Sequence, residues 1–218
     1  MKNLNFFSRA VSIQKKLRNA RRAAGQRTTP PSCSVLALGG CRSGKTAWAE
    51  MRALALAEAL GEAELIYIAT AEARDDDQRM RERIAKHQAG RDARWHTVEA
   101  PLDLPEALTS ATEQKDGTRR MRVILIDCVT VWLSNLMAAG FSEEMILSRV
   151  DDLATLLARP AYPVFVVSNE VGLGVAPSTA LGNVFRDIAG LANQRLVKCC
   201  GEVYFIVSGL AQKIKPMP

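Results

Sequence analysis

The 218-residue chain has no apolar run long enough to cross a membrane as a helix. The best candidate, ALALAEALGEAELIYIATA (residues 53–71), is broken by Glu58, Glu62 and Glu64, and a span needs roughly 18 uninterrupted apolar residues. With no membrane span, a soluble protein is expected. Cysteine occurs five times but never as C-x-x-C, and the one close pair, Cys199-Cys200, is adjacent and hard to bridge. A disulfide framework and a zinc cluster are both disfavoured, and reduced thiols point to a cytoplasmic protein. Acid is missing altogether from residues 1–33, which carry eight of the 29 Lys and Arg. That leaves 21 bases against 23 acids in the remainder, so the excess charge belongs to the N-terminal stretch and no nucleic-acid partner is expected for the body. Residues 1–33 read as a basic, flexible extension that is dispensable. They resemble a transit peptide and equally suit a disordered arm or an upstream start codon. Pro30-Pro31 marks their end, because consecutive prolines block a helix and deliver the chain extended.

Residues 34–218 have the length and the 48% hydrophobic content of one sizeable α/β domain. Its first element is an apolar strand, Val35 to Leu38, which runs into Gly39-Gly40-Cys41-Arg42-Ser43-Gly44-Lys45-Thr46 and then a long Ala/Leu/Glu-rich helix. This matches the phosphate-binding pattern G-x-x-x-x-G-K-[ST] in its required strand-loop-helix context. Glycines at 39, 40 and 44 let the backbone curl so that successive N–H groups point at phosphate oxygens, and the helix N-terminus adds partial positive charge. Lys45 is placed for the β and γ phosphates and the Thr46 hydroxyl for Mg²⁺.

A second acidic position is expected at the end of a neighbouring strand. Val123 to Ile126 is a buried, β-rich run, and Asp127 follows it, where strands of doubly wound folds present ligands. Asp127 is the candidate magnesium residue, a role compatible with capping the helix that begins near Val129. Further strands are predicted at 64–70, 163–169 and 202–209, with helices around 77–89, 143–158 and 180–198. The fold class expected is α/β, P-loop nucleoside triphosphate hydrolase-like, with a mostly parallel sheet covered by helices on both faces. The chain lacks the D-x-x-G and N-K-x-D of signalling GTPases: Asp127 is followed by Cys128-Val129-Thr130, and Asn169 by Glu170-Val171-Gly172. The loop and the acid indicate phosphoryl chemistry but leave the acceptor open.

Histidine is nearly absent, with His87 and His96 only. Met80, Ile84 and His87 follow the spacing of a helix's inward face, on which His87 would be an ordinary hydrogen-bonded core residue. A second reading comes from whole-chain likeness. GGCRSGKTAWAE, YIATAEARDDDQRMRERIAKHQAGRDARWHTVEAP, VWLSNL, SNEVGLGVAPSTALGNVFRDIAGLANQRL and VSGLAQKIK run in order from about Val35 to Lys215. Together they resemble the bifunctional adenosylcobinamide kinase / adenosylcobinamide-phosphate guanylyltransferase family of cobalamin biosynthesis. The resemblance implies phosphorylation of adenosylcobinamide with ATP or GTP. Transfer of GMP from GTP to adenosylcobinamide phosphate follows, through a covalent guanylyl-histidine. It assigns the nucleophile to His87, within Arg83-Ile84-Ala85-Lys86-His87-Gln88-Ala89-Gly90-Arg91, and gives His96 no such role.

The same resemblance implies nucleotide contacts from the P-loop, from Ala69-Thr70-Ala71, from Gln88, Ala89, Gly90 and Arg91, and from Glu99 and Asp127. It also implies a homotrimer. Read without it, Ala69-Thr70-Ala71 is a strand exit, Arg91 a solvated charge and Glu99 a cap before Pro101. Asn169 to Gly172, Phe185-Arg186-Asp187 and Asn193-Gln194 form a second polar set, suited either to the corrinoid side or to a subunit contact. Ala180, Asn183 and Gly201 depart from the family pattern around that set.

Overall fold

The computed structural model describes residues 33–61, 63–72, 78, 82, 92–113 and 120–215. All of them belong to the second of two compact units, Ser32–Pro218. Seven strands form one sheet in the order β3-β2-β4-β5-β1-β6-β7. They are β1 (Ser34–Gly39), β2 (Glu64–Ala69), β3 (Trp95–Glu99), β4 (Arg122–Asp127), β5 (Val164–Asn169), β6 (Glu202–Val207) and β7 (Leu210–Lys215). The helices are α1 (Lys45–Ala59), α2 (Leu104–Thr112), α3 (Val129–Ala138), α4 (Glu143–Ala158) and α5 (Ala180–Cys199). The first six strands are mutually parallel and β7 is antiparallel to β6. That reversal has a local cause. Only Ser208 and Gly209 join β6 to β7, with φ of 51° and 81°, the pair of left-handed residues that a type I′ hairpin turn requires.

Periodicity sets the layers. Ala49, Ala53 and Ala57 recur every fourth residue on α1 and are buried against Leu65, Tyr67, Val123, Leu125, Phe165 and Val167 on one sheet face. Alanine there lets the helix axis approach the sheet closely, so the loop preceding α1 is held tightly over the strand ends. The opposite face carries α2 to α5 through Leu104, Leu108, Trp132, Leu133, Ile146, Val150, Ile188 and Leu196. Trp132 is fully buried, and its indole N–H donates to the Leu102 carbonyl at 2.7 Å, which removes the cost of burying that donor. α4 starts where Ser142 Oγ accepts from Met145 N–H at 3.3 Å, with Glu143 and Glu144 in the first turn. Thr179 caps α5 in the same way through Gly182 N–H at 3.1 Å.

The sheet confirms the expected α/β class with a mostly parallel sheet, and helices cover both faces. It adds elements that the sequence patterns left out: the edge strands β3 and β7, and the helix α2. The helix anticipated over 77–89 falls mainly outside the described residues. No helix among the described residues is long and apolar enough to cross a membrane.

Candidate nucleotide-binding site

The strand register brings the chemistry to one edge. Gly39 pairs with Asn169 on one side and Ile206 on the other, while Asp127 pairs with Ala69 and Ala69 with Glu99. The P-loop, the candidate metal acid and two of the expected nucleotide-contact positions thus all sit at the carboxyl ends of parallel strands, where α/β sheets bind ligands.

All six residues of β1 are buried, so the strand delivers Gly39 rigidly to this edge. A Cβ on Gly39 would run into the Ile206 carbonyl oxygen and lie 2.7 Å from Ser43 Oγ, so only glycine fits. Gly44, at φ +91°, occupies the left-handed region at the N-cap of α1. Between them the loop folds back on itself, with Ser43 N–H donating to the Gly40 carbonyl at 3.2 Å. Cys41 and Arg42 are exposed at its tip, and Gly40 faces open space. The Ser43 carbonyl accepts from Gly209 N–H at 2.8 Å, so the β6–β7 turn braces the loop from outside. Ser43 Oγ is buried without a hydrogen-bond partner among the described residues.

Lys45 is 7% exposed, and its ammonium donates to the Gly40 carbonyl at 3.0 Å, which folds the side chain across the loop's mouth. No acid of α1 itself sits in its first turn, and the carboxylate nearest its N-terminus comes from β4. One residue on, Thr46 Oγ1 donates to Asp127 Oδ1 at 3.3 Å. The other Asp127 oxygen, Oδ2, accepts a 2.6 Å bond from the hydroxyl of Tyr67, a residue that sequence reasoning missed. Its signal was available: a tyrosine inside an otherwise apolar strand needs an acceptor for its O–H, and Asp127 is the acid at the end of the neighbouring strand.

The remaining expected residues divide. Thr70 is fully buried; its hydroxyl donates to the Cys128 carbonyl and accepts from Cys128 N–H, both at 2.8 Å. Asn135 Nδ2 adds bonds to the carbonyls of Thr70 at 2.8 Å and Pro101 at 3.0 Å. Thr70 therefore ties the end of β2 to the end of β4, and its backbone N–H, which donates to the Asp127 carbonyl at 3.2 Å, adds to that tie. Glu99 is exposed at the tip of β3. His87, Gln88, Ala89, Gly90 and Arg91 lie outside the described residues. His96 lines a cavity of about 390 Å³ with Glu64 and Arg122. Those two residues begin β2 and β4, so this cavity opens at the edge of the sheet opposite the P-loop.

Within the second polar set Asn193 alone is buried, and it anchors a hydrogen-bond network. Ser168 Oγ donates to Asn193 Oδ1 at 2.7 Å, Asn193 Nδ2 donates to the Asn169 carbonyl at 3.0 Å, and Asn169 N–H donates to Thr130 Oγ1 at 2.6 Å. Asn193 is 5% exposed and holds α5 to the end of β5. Arg186 and Asp187 are partly solvated and lie 3.8 Å apart.

A phosphate-binding loop opening a helix, its lysine folded across the mouth, and a hydroxyl–carboxylate pair at the adjacent strand end define a P-loop nucleotide-binding protein. Residues 35–214 match the family described as cobinamide kinase / cobinamide phosphate guanyltransferase. The chain is 39% identical over 183 residues to the bifunctional adenosylcobalamin biosynthesis protein CobP of Pseudomonas aeruginosa, covering 84% of this chain and 98% of that one. It is 35% identical over 194 residues to the corresponding protein CobU of Salmonella typhimurium, covering 83% and 99%. The chain belongs to the cobinamide kinase / cobinamide phosphate guanyltransferase family, and is an enzyme of that family.

Proposed function

We propose that the protein phosphorylates adenosylcobinamide with ATP or GTP and then converts the phosphate to adenosylcobinamide-GDP, using GTP as the guanylyl donor and His87 as the covalent carrier. The observation that carries this reading is the assembly of Lys45, Thr46 and Asp127 around the P-loop in a chain of this family. In the first reaction the substrate hydroxyl oxygen attacks the γ-phosphorus, the bond to the β–γ bridging oxygen breaks, and the hydroxyl proton is lost. The P-loop N–H groups and the Lys45 ammonium stabilise the charge that moves onto the departing diphosphate.

In the second reaction a neutral imidazole nitrogen of His87 attacks the α-phosphorus of GTP and pyrophosphate leaves. A phosphate oxygen of adenosylcobinamide phosphate then attacks the same phosphorus, the P–N bond breaks, and the histidine is regenerated.

The donor set suits magnesium. Thr46 Oγ1 and Asp127 Oδ1 are hard oxygen donors 3.3 Å apart beside the loop that takes the phosphates. When bound there, Mg²⁺ supplies charge neutralisation at the phosphate oxygens. The family resemblance also supports a homotrimer as the working assembly.

The test is covalent labelling. Protein incubated with α-labelled GTP should retain label through denaturing electrophoresis, in an adduct that acid destroys and alkali does not. His87→Asn should abolish both the label and the guanylylated product while adenosylcobinamide phosphorylation largely survives. An unlabelled wild-type protein that still makes the product would remove His87 from this role.

A further inference from the structure

The two oxygens of Asp127 are committed differently. Oδ1 faces Thr46 across a long 3.3 Å contact, whereas Oδ2 accepts a 2.6 Å bond from Tyr67, within the range of a charge-assisted O–H···O⁻ bond. Tyr67 has little freedom to move. It is 2% exposed, packs with Leu65, Val123, Leu125 and Phe165, and meets the Trp95 ring edge-on at 5.7 Å between centroids and 86° between planes. Leaving Asp127 would mean opening that packing, so the phenol is a fixed donor at a fixed place.

Magnesium demands near-octahedral geometry and takes a carboxylate oxygen in a defined direction. A free Asp127 side chain would present either oxygen, or both, over a range of angles. We propose that Tyr67 is the positioning residue of the magnesium-facing carboxylate. By holding Oδ2 it leaves Oδ1 alone turned toward Thr46 and the phosphates. This rests on the reading of Thr46 and Asp127 as the metal-facing pair. Outer-shell hydrogen bonds of this kind commonly account for about 10–100-fold in metal affinity. Tyr67 does not touch substrate and acts through Asp127.

Mn²⁺ is a suitable probe, because its free-ion electron paramagnetic resonance signal disappears on binding. The titration uses the full chain with a non-hydrolysable β,γ-imido analogue of GTP, in the wild type, Tyr67→Phe, Asp127→Asn and the double variant. Tyr67→Phe should weaken Mn²⁺ binding by about 10–100-fold, with no further loss when it is added to Asp127→Asn. Leu108→Ala, in the core on the opposite face of the sheet from Tyr67, should lower the melting temperature and leave Mn²⁺ affinity unchanged. If Asp127→Asn binds Mn²⁺ like the wild type, the metal-facing reading itself fails. If Asp127→Asn is impaired but folded Tyr67→Phe is not, or if Leu108→Ala is impaired equally, the metal-facing reading stands and the role of Tyr67 is overturned. A second measurement needs no substitution at 67. With fluorotyrosine at the three tyrosines, the ¹⁹F resonance of Tyr67 should shift when Mg²⁺ is added to the nucleotide complex, with Tyr162 as the unmoved reference. A stationary Tyr67 signal would also overturn the proposal.

Discussion

Thr70→Val separates a ligand contact from a structural tie. Valine matches threonine in shape but has no hydroxyl, and the Thr70 hydroxyl makes two bonds to the backbone of Cys128. Without it, Cys128 N–H loses an acceptor in a part-buried position, at a cost of about 1–3 kcal/mol. The Cys128 carbonyl is less affected because Trp132 N–H also donates to it, at 3.2 Å. Its lost bond is worth on the order of 1 kcal/mol. The sum, roughly 2–4 kcal/mol, is a large part of the ~5–15 kcal/mol by which a domain is stable. At about 2–4 °C per kcal/mol for a chain of this size, the melting temperature should fall by roughly 5–15 °C. Urea unfolding and calorimetry would measure this, and Thr70→Ser, which keeps the hydroxyl, should recover most of it. Nucleotide affinity of the folded Thr70→Val fraction should change much less than its stability. A variant as stable as the wild type but with impaired nucleotide binding would refute the argument and make the hydroxyl a ligand contact.

Lys45→Ala removes the ammonium lying across the loop and should depress kinase and guanylyl transfer together by about 10²-fold or more in steady-state assays; loss of one activity alone would mean separate nucleotide sites. Gly39→Ala pushes a methyl group against the Ile206 carbonyl and should cost about 1–3 kcal/mol in denaturant unfolding, along with most nucleotide binding. Burial pushes the Glu202 carboxyl up, but hydrogen bonds from Tyr204 and Lys213 and the charges of Lys213 and Arg52 outweigh it and hold the group below its ordinary value. Its stabilisation is therefore present above the unfolded value of about 4.3 and is lost as pH falls through the folded one. Glu202→Gln should accordingly destabilise at pH 7 and converge with the wild type in acid unfolding as pH falls through the lowered folded value. Deleting residues 1–32 keeps the bond from Val164 N–H to the Cys33 carbonyl and should leave folding and both activities nearly unchanged.

The parts of the fold legible in the sequence were those whose local pattern and burial agree. The helices expected over 143–158 and 180–198 are found at Glu143–Ala158 and Ala180–Cys199, where side-chain caps at Ser142 and Thr179 mark their starts. The buried central strands read as apolar runs for the same reason. β3 and β7 are edge strands: WHTVE has one buried residue of five, and LAQKIK has none, so neither carries a core signature. The P-loop was legible because its glycines answer local backbone demands. Asp127 was legible from its position at a strand end. Tyr67 and Thr70 owe their roles to bonds across strands, to partners about 60 residues away. A local pattern flags that the Tyr67 hydroxyl needs an acceptor but not which distant residue supplies it, and for Thr70 strand-end placement alone does not distinguish a hydroxyl facing a ligand from one facing the backbone.

The brace between Gly209 and Ser43 also orders events in time. The phosphate loop is written near the start of the domain, but the strand that walls Gly39 and the turn that supports Ser43 are written near its end. A chain emerging from the ribosome can form β1, α1 and their Ala-lined contact early, since these are sequence neighbours, yet the loop remains unsupported on its outer side until residues 202–209 arrive. Support for the loop thereby waits for residues 202–209. A chain that stops before residue 202 would carry the whole motif and should still hold nucleotide poorly, which makes nucleotide retention a readout of the β6–β7 hairpin having formed.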